Sequence, residues 1–240
     1  MRTNMAPTTA PQYIAHYMST KLRFQTALKS ISKSQLETRV QSCPDWNVKD
    51  LIAHVVALCS ELSTGEVPPA DPQAWVNQQI ISRKQSSLSD LITEWDSTCE
   101  AFASIASQSS RISAPISYDL VVHEHDLLHA LACITDARSS ESVTIAMGFG
   151  ALMLEADLAK YDRGAISLRA GGCEWQCGPG EVVLSLDLDA EYAHPVWELL
   201  RITGSRRSHQ QLITYPWQGD LDHLLPGLVH MELPVNDLIE

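Results

Sequence analysis

Cys43-Pro44-Asp45-Trp46-Asn47-Val48-Lys49-Asp50-Leu51-Ile52-Ala53-His54, continuing into Val55, Val56 and Cys59, is the stretch that decides the fold. Cys43–Asn47 reads as a turn. The Asn47 side chain can accept a hydrogen bond from the free N–H groups of a helix's first turn, and Asp50, three residues on, can return one, as in a capping box with Asp in place of Glu. Leu51, Ile52, Val55, Val56 and Cys59 then supply an apolar stripe at helical spacing. Upstream, after a Pro/Thr-rich lead, Tyr13, Tyr17, Phe24 and Leu28 lie four, seven and four apart and predict a helix over about 11–34. Downstream, Pro68, Pro69 and Pro72 interrupt the pattern. From about 73 to 106, Leu88, Leu91, Trp95, Cys99, Phe102 and Ile105 predict one long amphipathic helix. Pro115 opens a fourth, running to about Cys133.

Beyond Asp136 the texture changes. A helical stretch over about 140–161 leads to Ala165–Gly172 and Glu181–Asp189, which read as the two strands of a hairpin around Gly178-Pro179-Gly180. Helical pieces near 191–203 and 206–214 follow, then a turn at Trp217–Asp220. The expected fold class is α+β: an N-terminal four-helix bundle over 1-136, then a small α+β domain over 137-240.

Composition narrows the function classes. The 240 residues carry 17 Lys+Arg against 29 Asp+Glu, a net charge of −12, which argues against nucleic acid or anionic lipid as partner. No run approaches the roughly 18 apolar residues of a membrane span, and the N-terminus does not read as a secretory signal. A cytoplasmic protein with reduced thiols is the expectation. Of six cysteines, only Cys173 and Cys177 are close, and their three-residue gap, with no second pair, does not make a four-ligand zinc site.

The candidate chemistry lies in Tyr118-Asp-Leu-Val-Val-His-Glu-His-Asp-Leu-Leu-His-Ala130. Asp119, His123 and Asp126, separated by four and three, share one helix face between apolar flanks. A carboxylate turned into a bundle needs a cationic or hydrogen-bonding partner. A metal ion bound by Asp119, His123 and, across the bundle, His54 would supply one. Three protein ligands leave a coordination position open, as catalytic zinc sites do. The other reading of the same residues is a core-edge His54 bonded to backbone and a solvated face of Asp119, His123, His125 and His129.

Cys43–His54 resembles the first signature of the mycothiol-dependent maleylpyruvate isomerase family, within the DinB-like metalloenzyme superfamily. Asp119-Leu-Val-Val-His123-Glu-His-Asp126 resembles its second, and Leu199–Gly204 with Trp217–Asp220 are similar to its C-terminal domain. The resemblance implies a DinB-like bundle followed by a domain of the sterol-carrier-protein type. It also implies a divalent metal of the zinc type on His54, Asp119 and His123, and a low-molecular-weight thiol, mycothiol or glutathione, as cosubstrate. The expected function is activation of that thiol for addition to an electrophilic small molecule, as a thiol-dependent isomerase or S-transferase acting as a monomer or homodimer. An arginine holding a substrate carboxylate would be Arg206 or Arg207. Asp119 replaces the usual glutamate and is one methylene shorter, so His125 stands as the fallback ligand. The alternatives are a biosynthetic metalloenzyme of different chemistry on this fold, or a non-catalytic metal-binding or regulatory module whose ion is closed off by His125 or Glu124.

Overall fold

The computed structural model describes residues 1–66, 69, 72–133 and 135–240. The chain divides into two compact units, Thr9–Thr135 and a second made of Met1–Thr8 with Asp136–Glu240. Its α+β class is as expected, with a helical first unit and a small mixed sheet in the second.

The helical unit contains α1 (Ala10–Leu28), α2 (Lys33–Leu36), α3 (Val48–Ser63), α4 (Pro72–Arg83), α5 (Leu88–Ala106) and α6 (Ser110–Ala130). The capping box at the head of α3 is the one the sequence predicts: Asn47 Oδ1 accepts from the Asp50 N–H at 2.9 Å, and the Asp50 carboxylate accepts from the Asn47 N–H at 3.1 Å. α3 packs on α5 and α1 on α6. Between them Trp95 donates its Nε1–H to the Tyr17 hydroxyl at 2.9 Å and meets Phe24 edge-on, while the Tyr17 ring packs at a tilt against Phe102. The indole can be buried there because its one donor is satisfied.

Three helix boundaries differ from the sequence reading. The first predicted helix stops at Leu28, and a separate turn of helix, α2, starts at a Ser32–Gln35 capping box. The predicted long helix over 73–106 is two helices, because Ser87 and Asp90 form another capping box that starts α5 anew. The periodic apolar residues Leu88–Ile105 all belong to α5, while α4 buries Gln79, so the apolar spacing carries no mark of where α4 ends. The fourth helix begins at Ser110, capped by Ser109, and Pro115 lies inside it. The break expected at Pro68 lies outside the described residues.

The second unit carries a five-stranded sheet in the order β1-β3-β2-β4-β5, formed by β1 (Arg2–Thr3), β2 (Ala165–Ala170), β3 (Cys173–Cys177), β4 (Val182–Asp187) and β5 (Gln218–Gly219). The hairpin differs from the expected one. β2 turns back into β3 through Gly171 and Gly172, whose φ values of 60° and 72° suit the two-residue turn that twisted strands favour. The chain then passes Gly178 and lays β4 parallel to β2 on its other edge. Gly178 is required there: its φ is 93°, and a Cβ would stand 2.8 Å from the Gly164 carbonyl oxygen. Cys173, Trp175 and Cys177 alternate along β3, so the two cysteines are about 13 Å apart along the strand and hold no common ion.

Helix α7 (Glu141–Tyr161) packs on β3, on α8 (Pro195–Thr203) and on α10 (Leu221–Leu228); α9 (His209–Leu212) is a single turn. α10 follows the predicted turn at Trp217–Asp220, in a stretch without a sequence reading, with Asp220 as its cap. Among the described residues α7 is the one helix long and apolar enough to cross a membrane, which qualifies the expectation that no such run exists. In this unit Val143, Met147, Leu154 and Leu158 of α7 are core residues.

Replacing Asn47 with Ala should lower stability by about 1 kcal/mol. Urea titration checks it as a lower midpoint with an unchanged slope.

Candidate metal centre

α3 and α6 bring His54, Asp119 and His123 together, with one ligand atom from each within 4.8 Å of the others. Both imidazoles are buried, and the Asp119 side chain keeps partial exposure. Asp119 Oδ2 lies 3.6 Å from His54 Nε2, and Asp119 Oδ1 lies 3.5 Å from His123 Nε2. These separations are long for hydrogen bonds. They match donors converging on one tetrahedral ion, which sit about 3.4 Å apart when each is about 2.0–2.2 Å from the metal. The shorter aspartate thus still reaches the imidazoles, and a borderline divalent cation of the zinc type suits two nitrogens and one carboxylate oxygen.

The surroundings fix which nitrogen each ring presents. Gln79 on α4 donates its amide N–H to Glu61 at 2.7 Å, so its carbonyl oxygen must face His54 Nδ1, 3.0 Å away. His54 Nδ1 is therefore the donor, and Nε2 turns its lone pair toward Asp119. Glu61 is held by Arg83, which also grips Glu94 at 2.6 Å. On the other side, His123 Nδ1 donates to Asp126 at 3.0 Å and likewise leaves Nε2 for the site. Carboxylate or amide support behind a ligating imidazole is the usual arrangement of metal sites. The Trp46 ring covers both imidazoles, with centroids at 5.1 and 5.7 Å.

Burial works against a charged His123, but Asp119, Asp126 and Cys43 together outweigh it and push its pKa up to about 10. A site this rich in negative charge calls for a cation, and without one His123 takes that part itself. Cys43, His123 and Asp126 form a second possible grouping, with the Cys43 thiol 3.9 Å from Asp126. Here the carboxylate already serves the Nδ1 side of His123. The groups expected to close the site are elsewhere engaged or apart from it. Glu124 accepts two bonds from Arg23 at 2.7 and 2.8 Å, and His125, though buried, joins neither cluster. His129 reaches Gln41 at 3.3 Å.

Arg206 and Arg207 are buried in the second unit. Arg207 makes two bonds to Glu198, at 2.7 and 3.1 Å, and one to Glu240 at 2.7 Å. Glu240 also accepts from Arg201, and Glu198 from Tyr215. Burial alone would raise the Glu240 pKa, but Arg201 and Arg207 hold it below the ordinary glutamate value. Arg206 donates to the Gly204 carbonyl at 2.8 Å. Gln79, buried behind His54, was missed by the sequence reading: a single glutamine in a polar helix carries no spacing signal.

A helical bundle that gathers two imidazoles and a carboxylate, joined in one chain to a small α+β unit, defines a two-unit protein with a candidate metal centre. Residues 21–110 match the family model for the mycothiol maleylpyruvate isomerase N-terminal domain. Two crystal structures of the mycothiol-dependent maleylpyruvate isomerase share the fold. One, of a histidine-to-alanine mutant, is 14% identical with a TM-score of 0.52; the other is 15% identical with 0.51. Each alignment covers 83% of this chain and 92% of the other. A search of curated proteins gives no match. The family-model match contains the first motif, Cys43–His54, and bears out the resemblance read there, and the two structures share the fold.

Two outcomes are expected. Gln79→Leu should weaken zinc binding by about 10- to 100-fold, and His54→Ala/His123→Ala should abolish it, both read by elemental analysis and competition with a chromogenic chelator. Because the Glu240 pKa is lowered on folding, its contribution to stability is present above the unfolded glutamate pKa and lost as pH falls through the folded value. Glu240→Gln should therefore cost about 3 kcal/mol at neutral pH and flatten the acid limb of a stability-against-pH curve.

Proposed function

We propose that the chain is a metal-dependent enzyme that activates a low-molecular-weight thiol for addition to an electrophilic small molecule, as an isomerase or S-transferase. The observation that carries this reading is the convergence of His54, Asp119 and His123 with both Nε2 atoms turned inward and both Nδ1 atoms engaged behind the site. The matched domain, and the maleylpyruvate isomerases that share the fold, support the thiol as mycothiol.

A divalent ion held by His54, Asp119 and His123 would supply Lewis acidity that favours thiolate over thiol. This chain's residues do the rest. Gln79 and Asp126 keep the imidazoles in the tautomers that leave Nε2 free, and Trp46 limits water on one side. The partly exposed Asp119 edge leaves a route for small molecules. The thiolate sulfur forms a bond to an alkene carbon conjugated to a carbonyl, and the π electrons move onto that carbonyl. After rotation about the resulting single bond, expulsion of the thiolate gives the isomer. Protonation without expulsion gives the thioether. Arg206 or Arg207 as a cationic contact for a substrate carboxylate belongs to the same proposal, Arg207 being the one already paired with Glu198 and Glu240. A change from bundle to α+β domain near residue 136, as in the expected 1-136 and 137-240 but with Met1–Thr8 joining the second unit, and a cytoplasmic location belong to the same proposal.

The test is to follow thiol consumption and double-bond isomerisation with zinc-loaded protein, mycothiol or glutathione, and a panel of cis-enediones and activated alkenes. Turnover should fall by at least about a hundredfold in His54→Ala, since even groups behind a metal ligand contribute that much. Stoichiometric metal without turnover on any pair would overturn the enzyme in favour of a metal-binding module.

A further inference from the structure

The bundle contains an apolar cavity of about 370 Å³ between α3 and α6. That size is within the roughly 300–1,000 Å³ of small-molecule sites. Its walls are Leu58 and Leu62 on α3 and Pro115 and Ile116 on α6, while Asp119 lies at one end and Arg111 at the other. The sequence explains the alignment. His54, Leu58 and Leu62 recur every fourth residue along one ridge of α3, and Arg111, Pro115 and Asp119 do so along α6. The cavity therefore runs from the candidate metal centre along both helices, and Asp119 and Arg111 are about 12 Å apart by helix rise.

Arg111 is exposed, and among the described residues its guanidinium has neither an ion pair nor a hydrogen bond. Two other arginines of this unit are engaged, Arg23 with Glu124 and Arg83 with Glu61 and Glu94. An apolar groove with a carboxylate-bearing reactive end and a lone cation at the far end is complementary to a molecule of opposite polarity.

We propose that this groove binds the electrophilic substrate, and that the substrate is amphipathic: a reactive carbon at the Asp119 end, an apolar stretch along Leu58, Pro115 and Ile116, and a carboxylate on Arg111. A short dicarboxylate would leave the apolar walls uncovered, so the groove selects a carboxylate that carries a medium-length apolar stretch instead. This substrate class rests on the thiol-adding reading above. The groove as a carboxylate site does not.

The test is calorimetric binding of octanoate, butanoate, maleate and methyl octanoate to the full chain, with metal content and thiol turnover measured on the same preparations. Octanoate should bind more tightly than butanoate or maleate. Arg111→Met should weaken octanoate by about 10- to 100-fold while leaving methyl octanoate and bound metal unchanged, and Arg111→Lys should recover part of the loss. Octanoate should also inhibit turnover competitively against the electrophile. Equal octanoate binding by wild type and Arg111→Met, absence of octanoate binding, or maleate binding as tightly as octanoate would each overturn the groove. Octanoate binding through Arg111 in a protein without thiol turnover would overturn the substrate assignment and uphold the carboxylate site.

Discussion

Asp126 is buried completely inside the helical unit, and a carboxylate there keeps its charge only if something beside it is positive or donates to it. His123 meets that need at 3.0 Å. Once its Nδ1 is committed to Asp126, the imidazole has a single orientation, and Nε2 has to point at the gap between α3 and α6. Asp119 and His54 then find the other edge of the same ring, with His54 fixed in the matching tautomer by Gln79. One buried charge therefore orients a whole cluster, and the packing of α1 on α6 and α3 on α5 serves to hold the two helices at the separation the cluster needs.

Much of this was legible in the chain. Asn47 and Asp50 name the start of α3 unaided, because a capping box is a local exchange of two hydrogen bonds. Asp119 and His123 declare their shared face by spacing alone. Their partnership with His54 is a contact across the bundle, which helix position allows and the resemblance of two motifs singles out. The second unit was harder. Cys173–Cys177 stands out in the sequence only as a close cysteine pair and not as the strand β3, since five residues containing Glu, Trp and Gln alternate only weakly. The hairpin was assigned to the wrong strand for the same reason. Ser87 and Asp90 mark the start of α5 by a local capping box that apolar spacing does not report, and Pro226 within α10 breaks a helical reading there.

The two ionic clusters solve the problem of buried charge differently. In the second unit Arg201, Arg207, Glu198 and Glu240 neutralise one another, so their positive and negative groups have no call on outside partners. In the first unit Asp119 and Asp126 exceed the single imidazolium that His123 can provide. A closed set of charges suits a framework, and an unbalanced one suits a place where an ion or a reacting group has to arrive.

Met1–Thr8 belongs to the same compact unit as Asp136–Glu240, and the pairing of Arg2 with Gln176 and Thr3 with Trp175 makes the first residues of the chain the outer edge of the sheet. The unit's own sequence is thus interrupted by the whole helical bundle. A fragment starting at Asp136 would present the free backbone of β3 as an open template for another chain. During synthesis, likewise, the first residues emerge well before the strand that will receive them, so the second unit completes its sheet only by recovering a segment made more than a hundred residues earlier.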